Sequence, residues 1–255
     1  MRHKPDFKKQ VRFFITLEFA FLMVFCITTA FSGNKINVKT GTLKINFLNT
    51  ANGKPVVLKD SVYTNPSGEQ YNITKLKYYI SNISLPGNIS LTDPDNYHLI
   101  DAARSTNFNI PVKEGKYKSI RFLIGVDSIR NCSGAQEGAL DPVNDMFWTW
   151  NTGYVMFKME GNSSSSFSNK KRIEYHIGGY RFGNNVATVI NLDFDEKEIG
   201  GNNPVEIFIE MNLDKYWASV NNLKISETPV CTLPGDLAKK IAANFPALFS
   251  INSIK

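Results

Sequence analysis

Histidine and cysteine are scarce, with three of each in 255 residues. His3 and Cys26 lie in an N-terminal segment with the marks of a leader. The remainder of the chain therefore has His98, His176, Cys132 and Cys231 for chemistry. The two cysteines form no C-x-x-C pair, which argues against a cysteine-built zinc site. There is no H-E-x-x-H, no glycine-rich phosphate loop and no Ser–His–Asp order legible from spacing. Hydrolytic catalysis thus has no motif to rest on, and the expectation is a protein that is not an enzyme. Lys and Arg do not cluster on a helix, which removes the footprint of a nucleic-acid binder. No internal repeat, heptad or extended linker is present, so one domain is expected.

The longest apolar run is at the N-terminus. Arg2, Lys4, Lys8, Lys9 and Arg12 precede residues 13–31, apolar except for Glu18 and most compact over 19–27. Ala30-Phe31-Ser32 is an acceptable small-x-small cleavage site. Residues 1–32 therefore read as a signal peptide, with the mature domain running over 33–255 from Gly33. An uncleaved anchor is the alternative; the run is short of a clean 20-residue span. Phe25 is the wrong size to make Cys26 a lipobox cysteine. The net charge is +6, and this segment carries five basic residues against Asp6 and Glu18. Half of the positive charge leaves with it. Export places the domain in the periplasm, in the medium or at the cell surface, with no membrane span after cleavage. An oxidising compartment makes a Cys132–Cys231 disulfide the default, worth about 4–5 kcal/mol for a loop of roughly 100 residues.

From Gly41 onward the period is two. Residues 42–47 alternate, and Asn52-Gly53 is a hairpin signal before Pro55. Residues 73–85 form a long strand pattern whose phase slips near Asn82, as a bulge would produce. Residues 97–101, 108–112, 117–126, 154–161, 172–177, 186–194 and 205–211 are further strands. Residues 161–170, rich in Ser, Asn and Gly, read as a mobile loop. Residues 212–217 read as one helical turn. The only convincing helix spans 235–245, with Leu237, Ile241, Ala242 and Phe245 on one face. About ten short strands and a terminal helix predict an all-β fold: a single-domain antiparallel β-sandwich with one C-terminal helix. Asn-x-Ser/Thr sequons occur at Asn72, Asn82, Asn88, Asn131 and Asn162.

The most unusual stretch is Met146-Phe147-Trp148-Thr149-Trp150-Asn151-Thr152-Gly153-Tyr154. If extended, Trp148 and Trp150 point the same way. Plain aromatic packing explains such a stretch on residue types alone. Asp141 and Asp145 flank it, and turn or cap chemistry is their ordinary role. Met146, Met156, Met159 and Met211 offer thioether sulfur. Met156 and Met159 face opposite sides of a regular strand and cannot share an ion.

Several motifs together resemble the MbnP-like family of exported copper-binding proteins (MbnP, MopE and CorA-like). These are Leu76-Lys77-Tyr78-Tyr79-Ile80-Ser81-Asn82, Gly115-Lys116-Tyr117 with Arg121-Phe122 and Gly125-Val126, Asp141-Pro142 with the 146–154 stretch, His176-Ile177-Gly178, and Ala242-Ala243-Asn244-Phe245. The resemblance covers nearly all of the mature chain. It implies copper as the cofactor, held by two histidines and a tryptophan oxidised to kynurenine. It implies a di-haem oxidase of the MauG/MbnH type as the modifying partner. His176 sits at a matching motif position; Trp148 and Trp150 occupy the tryptophan motif; His98 is the candidate second imidazole. The copper-binding members also carry a histidine near the modified tryptophan, and this chain has none there. The alternatives are a diverged structural or interaction sandwich without metal and, behind it, a carbohydrate-active protein using Asp141 and Asp145 as its carboxylate pair.

Overall fold

Wherever the sequence alternates, the chain is extended. The computed structural model describes residues 39–86, 96–149, 152–201 and 204–255. The leader over 1–32, the start at Gly33, Asn88 and Trp150 lie outside them. The strands are β1 (Thr40–Ala51), β2 (Lys54–Pro55), β3 (Val62–Thr64), β4 (Gln70–Ser84), β5 (Tyr97–Asp101), β6 (Asn107–Lys113), β7 (Gly115–Ile124), β8 (Phe147–Thr149), β9 (Gly153–Asn162), β10 (Arg172–Gly178), β11 (Thr188–Ile199), β12 (Val205–Asn212), β13 (Val230–Cys231) and β14 (Phe249–Ile254). The helices are α1 (Ser128–Cys132), α2 (Leu213–Trp217), α3 (Asp236–Ala242) and α4 (Phe245–Leu248). The Asn52-Gly53 signal is realised as a tight turn with φ of 52° and 68°, the two positive values that a type I′ hairpin needs.

The strands form two sheets. One runs β14-β12-β1-β2, with β6 also on β1. The other runs β11-β7-β4-β9-β10-β13, with β3 and β5 on β4 and β8 on β9. Phe47 of the first meets Tyr78 and Phe122 of the second edge-on, at 5.9 and 6.1 Å. Leu43, Ile45, Tyr78, Ile80, Phe157, Ile177, Ile207 and Ile209 are buried in the layer between them. Each such aliphatic or aromatic side chain stabilises the fold by about 1.5–3 kcal/mol, so this layer is the main source of cohesion. The expected antiparallel sandwich is in fact mixed: β1 pairs β12 in parallel, as β10 pairs β13. Alternation fixes which face a residue takes but carries no information about a neighbour's direction, so the parallel pairs are not legible in it. The terminal helix is broken in two. Pro246 has no N–H to continue α3 and opens α4 instead.

β4 positions everything that follows. Lys77 and Tyr78 pair with both β5 and β9, while Ile80 and Ser81 pair with both β5 and β7. A strand has two edges, so β9 and β7 occupy the same edge in succession and part company near Tyr79. The phase slip is real: Asn82 has φ 51°, and the register with β7 shifts between Ser81 and Ser84. Two further expectations fail. The 161–170 segment is tied down, with Ser163 and Ser166 buried and donating to the Gln70 and Arg172 carbonyls. Cys132 is exposed on α1 and Cys231 is buried on β13, both as free thiols with no disulfide between them. Even spacing in sequence could not show that one cysteine belongs to a surface helix and the other to a strand packed on Tyr175.

Candidate functional site

The gap where β7 and β9 diverge is closed by residues 125–149 and 152–155. Gly125 N–H donates to the Tyr79 carbonyl at 2.9 Å and turns the chain out of β7. Its φ of 123° suits glycine. Asp127 then caps α1 by accepting from Arg130 N–H. Asn131, fully buried, locks the region. Its amide nitrogen donates to the Val126 and Asp127 carbonyls at 2.7 and 3.0 Å, and its oxygen accepts from Tyr154 N–H at 2.9 Å. Asn131 is one of the sequons, and its burial is incompatible with a glycan in the folded chain. Tyr79, Val126, Leu140, Met146, Tyr154 and Val155 form a second, smaller core on the outer face of the large sheet, with Phe147 and Trp148 packed against it. The Tyr79 and Tyr154 rings meet edge-on at 5.9 Å, and their hydroxyls donate to the Ala139 and Leu140 carbonyls.

The Trp148 ring reaches β10. A Cβ at Gly178 would stand 2.8 Å from Trp148 Cζ3 and 2.6 Å from the Tyr154 carbonyl oxygen. The absent side chain at 178 is therefore what admits the indole. His176 lies two residues earlier on β10.

Beside this aromatic layer is a charged one. Lys77, Lys158 and His176 fall in one cross-strand row over β4, β9 and β10, on the face opposite Tyr78, Phe157 and Ile177. Lys158, with only 4% of its side chain exposed, faces Asp145 Oδ2 at 3.1 Å and donates to the Asp145 carbonyl. Lys75 contacts Asp145 Oδ2 at 2.7 Å and Glu160 Oε2 at 3.3 Å. Lys77 pairs with Asp101 at 3.2 Å and donates to the Asn144 carbonyl at 3.0 Å. His176 Nε2 donates to Glu160 Oε1 at 2.9 Å. Burial pushes the Asp145 carboxyl upward, but hydrogen bonds from Lys75 and Lys158 outweigh it and hold it below the usual range. The His176 hydrogen bond, more than any other influence, holds Glu160 low as well. Three lysines and three carboxylates thus hold the turn before the tryptophan loop down on the sheet.

The structure does not bring the two nominated imidazoles together. His98 is opposite Ile80 and so points inward, on the face of Tyr78 and Ile80; its ring stacks on Phe108 at 3.6 Å and 1°, with Nε2 3.2 Å from Asn96 Oδ1. His176 points outward. Three strand spacings of about 4.8 Å and three residue steps of about 3.3 Å also separate them within the sheet. Two ligands of one metal ion must each come within about 2 Å of it. The His98–His176 pair therefore cannot share copper, which corrects the assignment of His98. Spacing could not reveal it, because the two strands are joined only through β4 and β9. The thioethers do not rescue the site: Met156, Met159 and Met211 are buried in the main core and Met146 in the smaller one. Among the described residues no group of three or more His, Cys, Asp and Glu side chains could hold a metal ion. His176 keeps a ligand-like arrangement, since Nε2–H on a carboxylate leaves Nδ1 as the acceptor nitrogen. Asp141 caps the Val143 N–H at 2.8 Å and Asp145 is ion-paired, so both do cap and pin work. The residues that sequence reasoning missed are Asn131, Lys158 and Glu160. The lysine and glutamate are outward positions in an alternating strand, and nothing local says that a loop will cover them.

Fold and site together define an all-β sandwich whose divergent edge is plugged by an aromatic loop held on a lysine–carboxylate platform. The family model for MbnP matches residues 40–233, and the chain belongs to the MbnP family. The solved structure of MbnP from Methylosinus trichosporium superposes with a TM-score of 0.54 over 85% of this chain and 99% of that one, at 15% identity. At that identity the likeness shows the fold. No curated protein sequence matches the chain.

Proposed function

We propose that this chain is an exported, non-catalytic MbnP-family protein that works by binding a partner through the aromatic end of the sandwich, and not by holding copper between His98 and His176. The observation that supports it is the exposure of Ile129, Phe182 and Leu233, at 81%, 106% and 71%. They come from three segments that meet. Ser128 Oγ donates to the Tyr180 carbonyl at 3.1 Å, and Gly179 abuts Pro234 so closely that a Cβ added to the glycine would stand 3.2 Å from the proline Cβ. Large apolar side chains left exposed together mark interaction surfaces. Two measurements test this. A photo-crosslinking residue at Phe182, in the native host, should give one discrete adduct, and the same residue at exposed Val62 should give none. Equal adducts or none at all would overturn the docking reading.

Copper is the second reading. Its support is the His176–Glu160 pair, a single oriented imidazole two residues from the Gly178 that abuts the Trp148 ring. A di-haem oxidase of the MauG/MbnH type belongs to this reading, acting on Trp148 or Trp150. Metal analysis and peptide mass on protein from the native host separate the two. Stoichiometric copper, with a gain of about 4 Da on the 148–150 peptide, as indole-to-kynurenine conversion requires, would establish the copper reading. Unmodified tryptophans without copper support the interaction reading.

A further inference from the structure

A cleft of about 640 Å³ opens between β5, α1 and the turn at residues 136–140, with Tyr97, Arg130, Gln136 and Glu137 on its walls. That volume is in the range of small-molecule sites, roughly 300–1,000 Å³. None of these four side chains belongs to the lysine platform. The walls are held in place. The Arg130 guanidinium lies over the Tyr97 ring at 5.5 Å. Its Nη1 donates to Gln136 Oε1 at 3.0 Å, and Gln136 Nε2 donates back to the Arg130 carbonyl at 2.9 Å. The turn is fixed from behind. The Tyr79 hydroxyl donates to the Ala139 carbonyl at 3.0 Å and the Tyr154 hydroxyl to the Leu140 carbonyl at 2.8 Å. Asn144 Nδ2 donates to the Gly138 and Ala139 carbonyls at 3.0 and 3.1 Å.

The charges of the cleft decide what fits it. Arg130 brings a cation and Glu137 a carboxylate. The Tyr97 hydroxyl donates to Asp127 Oδ2, which adds a second carboxylate behind the ring. Burial works against that carboxylate, but bonds from Tyr97 and the Arg130 N–H outweigh it, so Asp127 is ionised at neutral pH. An anion in the cleft therefore meets carboxylates, and a cation meets Arg130. A guanidinium can only donate, a carboxylate can only accept, and an amide does both. A chain of hydroxyls, each able to donate and accept, answers all three without carrying charge into the cleft. Planar polar side chains beside an aromatic ring suit that ligand, since fixed forks bond two neighbouring oxygens at once. We propose that the cleft between β5, α1 and residues 136–140 binds a neutral sugar, with Arg130 donating to its hydroxyls and Glu137 accepting from them. The inference is independent of the docking reading.

The test is an amide NMR titration of the full mature chain with maltose, cellobiose and N,N′-diacetylchitobiose, beside glucuronate and free lysine as charged probes. At least one neutral sugar should shift the amides of residues 136–140 saturably, and high salt should leave its affinity unchanged, because no ion pair is made. Arg130→Met should weaken that binding about ten-fold or more, the loss expected for a charged hydrogen bond. Glu137→Ala supplies a second variant that leaves the fold intact, since its side chain makes no cap hydrogen bond; it should weaken binding about three-fold. No saturable shift with any of the three sugars overturns the proposal. So does a response to glucuronate or lysine alone, which would make the site ionic, and so does sugar binding that neither variant weakens, which would place it elsewhere.

Discussion

Lys158→Met tests the claim that a buried lysine holds the tryptophan loop in place. Methionine fills the volume of the lysine stem, so no sizeable cavity follows. What is lost is the ammonium, which bonds the Asp145 carbonyl and faces Asp145 Oδ2 at 3.1 Å and Glu160 Oε1 at 4.0 Å. The ion pair counts for little, because the Asp145 carboxylate is 60% exposed and keeps Lys75 at 2.7 Å; such pairs contribute under about 1 kcal/mol. Glu160 likewise keeps Lys75 and His176. The charged hydrogen bond to the carbonyl is worth about 1.5–3 kcal/mol, and part of it is offset because a lysine no longer has to be desolvated. The expected net loss is about 2 kcal/mol, a fall in Tm of roughly 4–8 °C for a domain of this size. The loss should be local before it is global. Hydrogen exchange at amides 141–149 should quicken up to about 30-fold, the ratio that corresponds to 2 kcal/mol, while amides of β1 and β12 slow or quicken only with global stability. Lys75→Met, at a side chain 34% exposed, should cost less than half as much. A Lys158→Met protein as stable as its parent, with unchanged exchange in 141–149, would show that apolar packing alone holds the loop and that the lysine platform is incidental.

Gly178→Ala drives a methyl into the Trp148 ring and the Tyr154 carbonyl; a destabilisation of about 2 kcal/mol with red-shifted tryptophan emission is expected, and an unchanged spectrum would mean that the indole does not lie there. Stability should be flat at neutral pH and fall in acid. Asp127, Asp145, Glu69 and Glu160 all titrate lower in the folded chain than their ordinary values. Their contribution is complete above the unfolded carboxylate pKa of about 4 and is lost as pH drops through the folded values. Urea unfolding from pH 6 to pH 2.5 measures it, and stability rising toward acid would contradict the network. One thiol, Cys132, should react with a disulfide reagent in the folded protein. Cys231, whose thiol burial pushes up to about 11, should react only on unfolding; two silent thiols in the native chain and a non-reducing 132–231 crosslink would restore the disulfide.

Which face each residue takes was legible in the sequence; which strands are neighbours was not. Alternation located β1, β4, β5, β7, β10 and β12 because one side of each is dry, and the Asn52-Gly53 hairpin because only a positive-φ turn accommodates that pair. The parallel pairing of β1 with β12 joins Leu43 to Val205, 162 positions apart, and no local pattern encodes so distant a partner. The same limit hid the sharing of one edge of β4 by β9 and β7, and with it the gap that the residues after β7 fill.

The candidate site shows where that limit falls on chemistry. His98 and His176 each sit in a well-formed alternating strand, so each had a known facing relative to its own neighbours. Whether the facings agree depends on the register through β4 and β9, and there the answer is opposite. A one-residue difference in either register would have put both imidazoles on one side. The site residues that sequence could find are those whose role is local, such as the Asp141 cap. The ones it could not find, Asn131, Lys158 and Glu160, act on groups outside their own elements, up to 85 positions away in the case of Glu160 and Lys75. The charges of Lys158 and Glu160 read as solvated because nothing in their own strand shows that a loop covers them. A lysine alternating with Phe157 and Met159 looks like a surface position until the loop closes over it, and that closure turns three ordinary outward lysines into the platform on which the tryptophan loop rests.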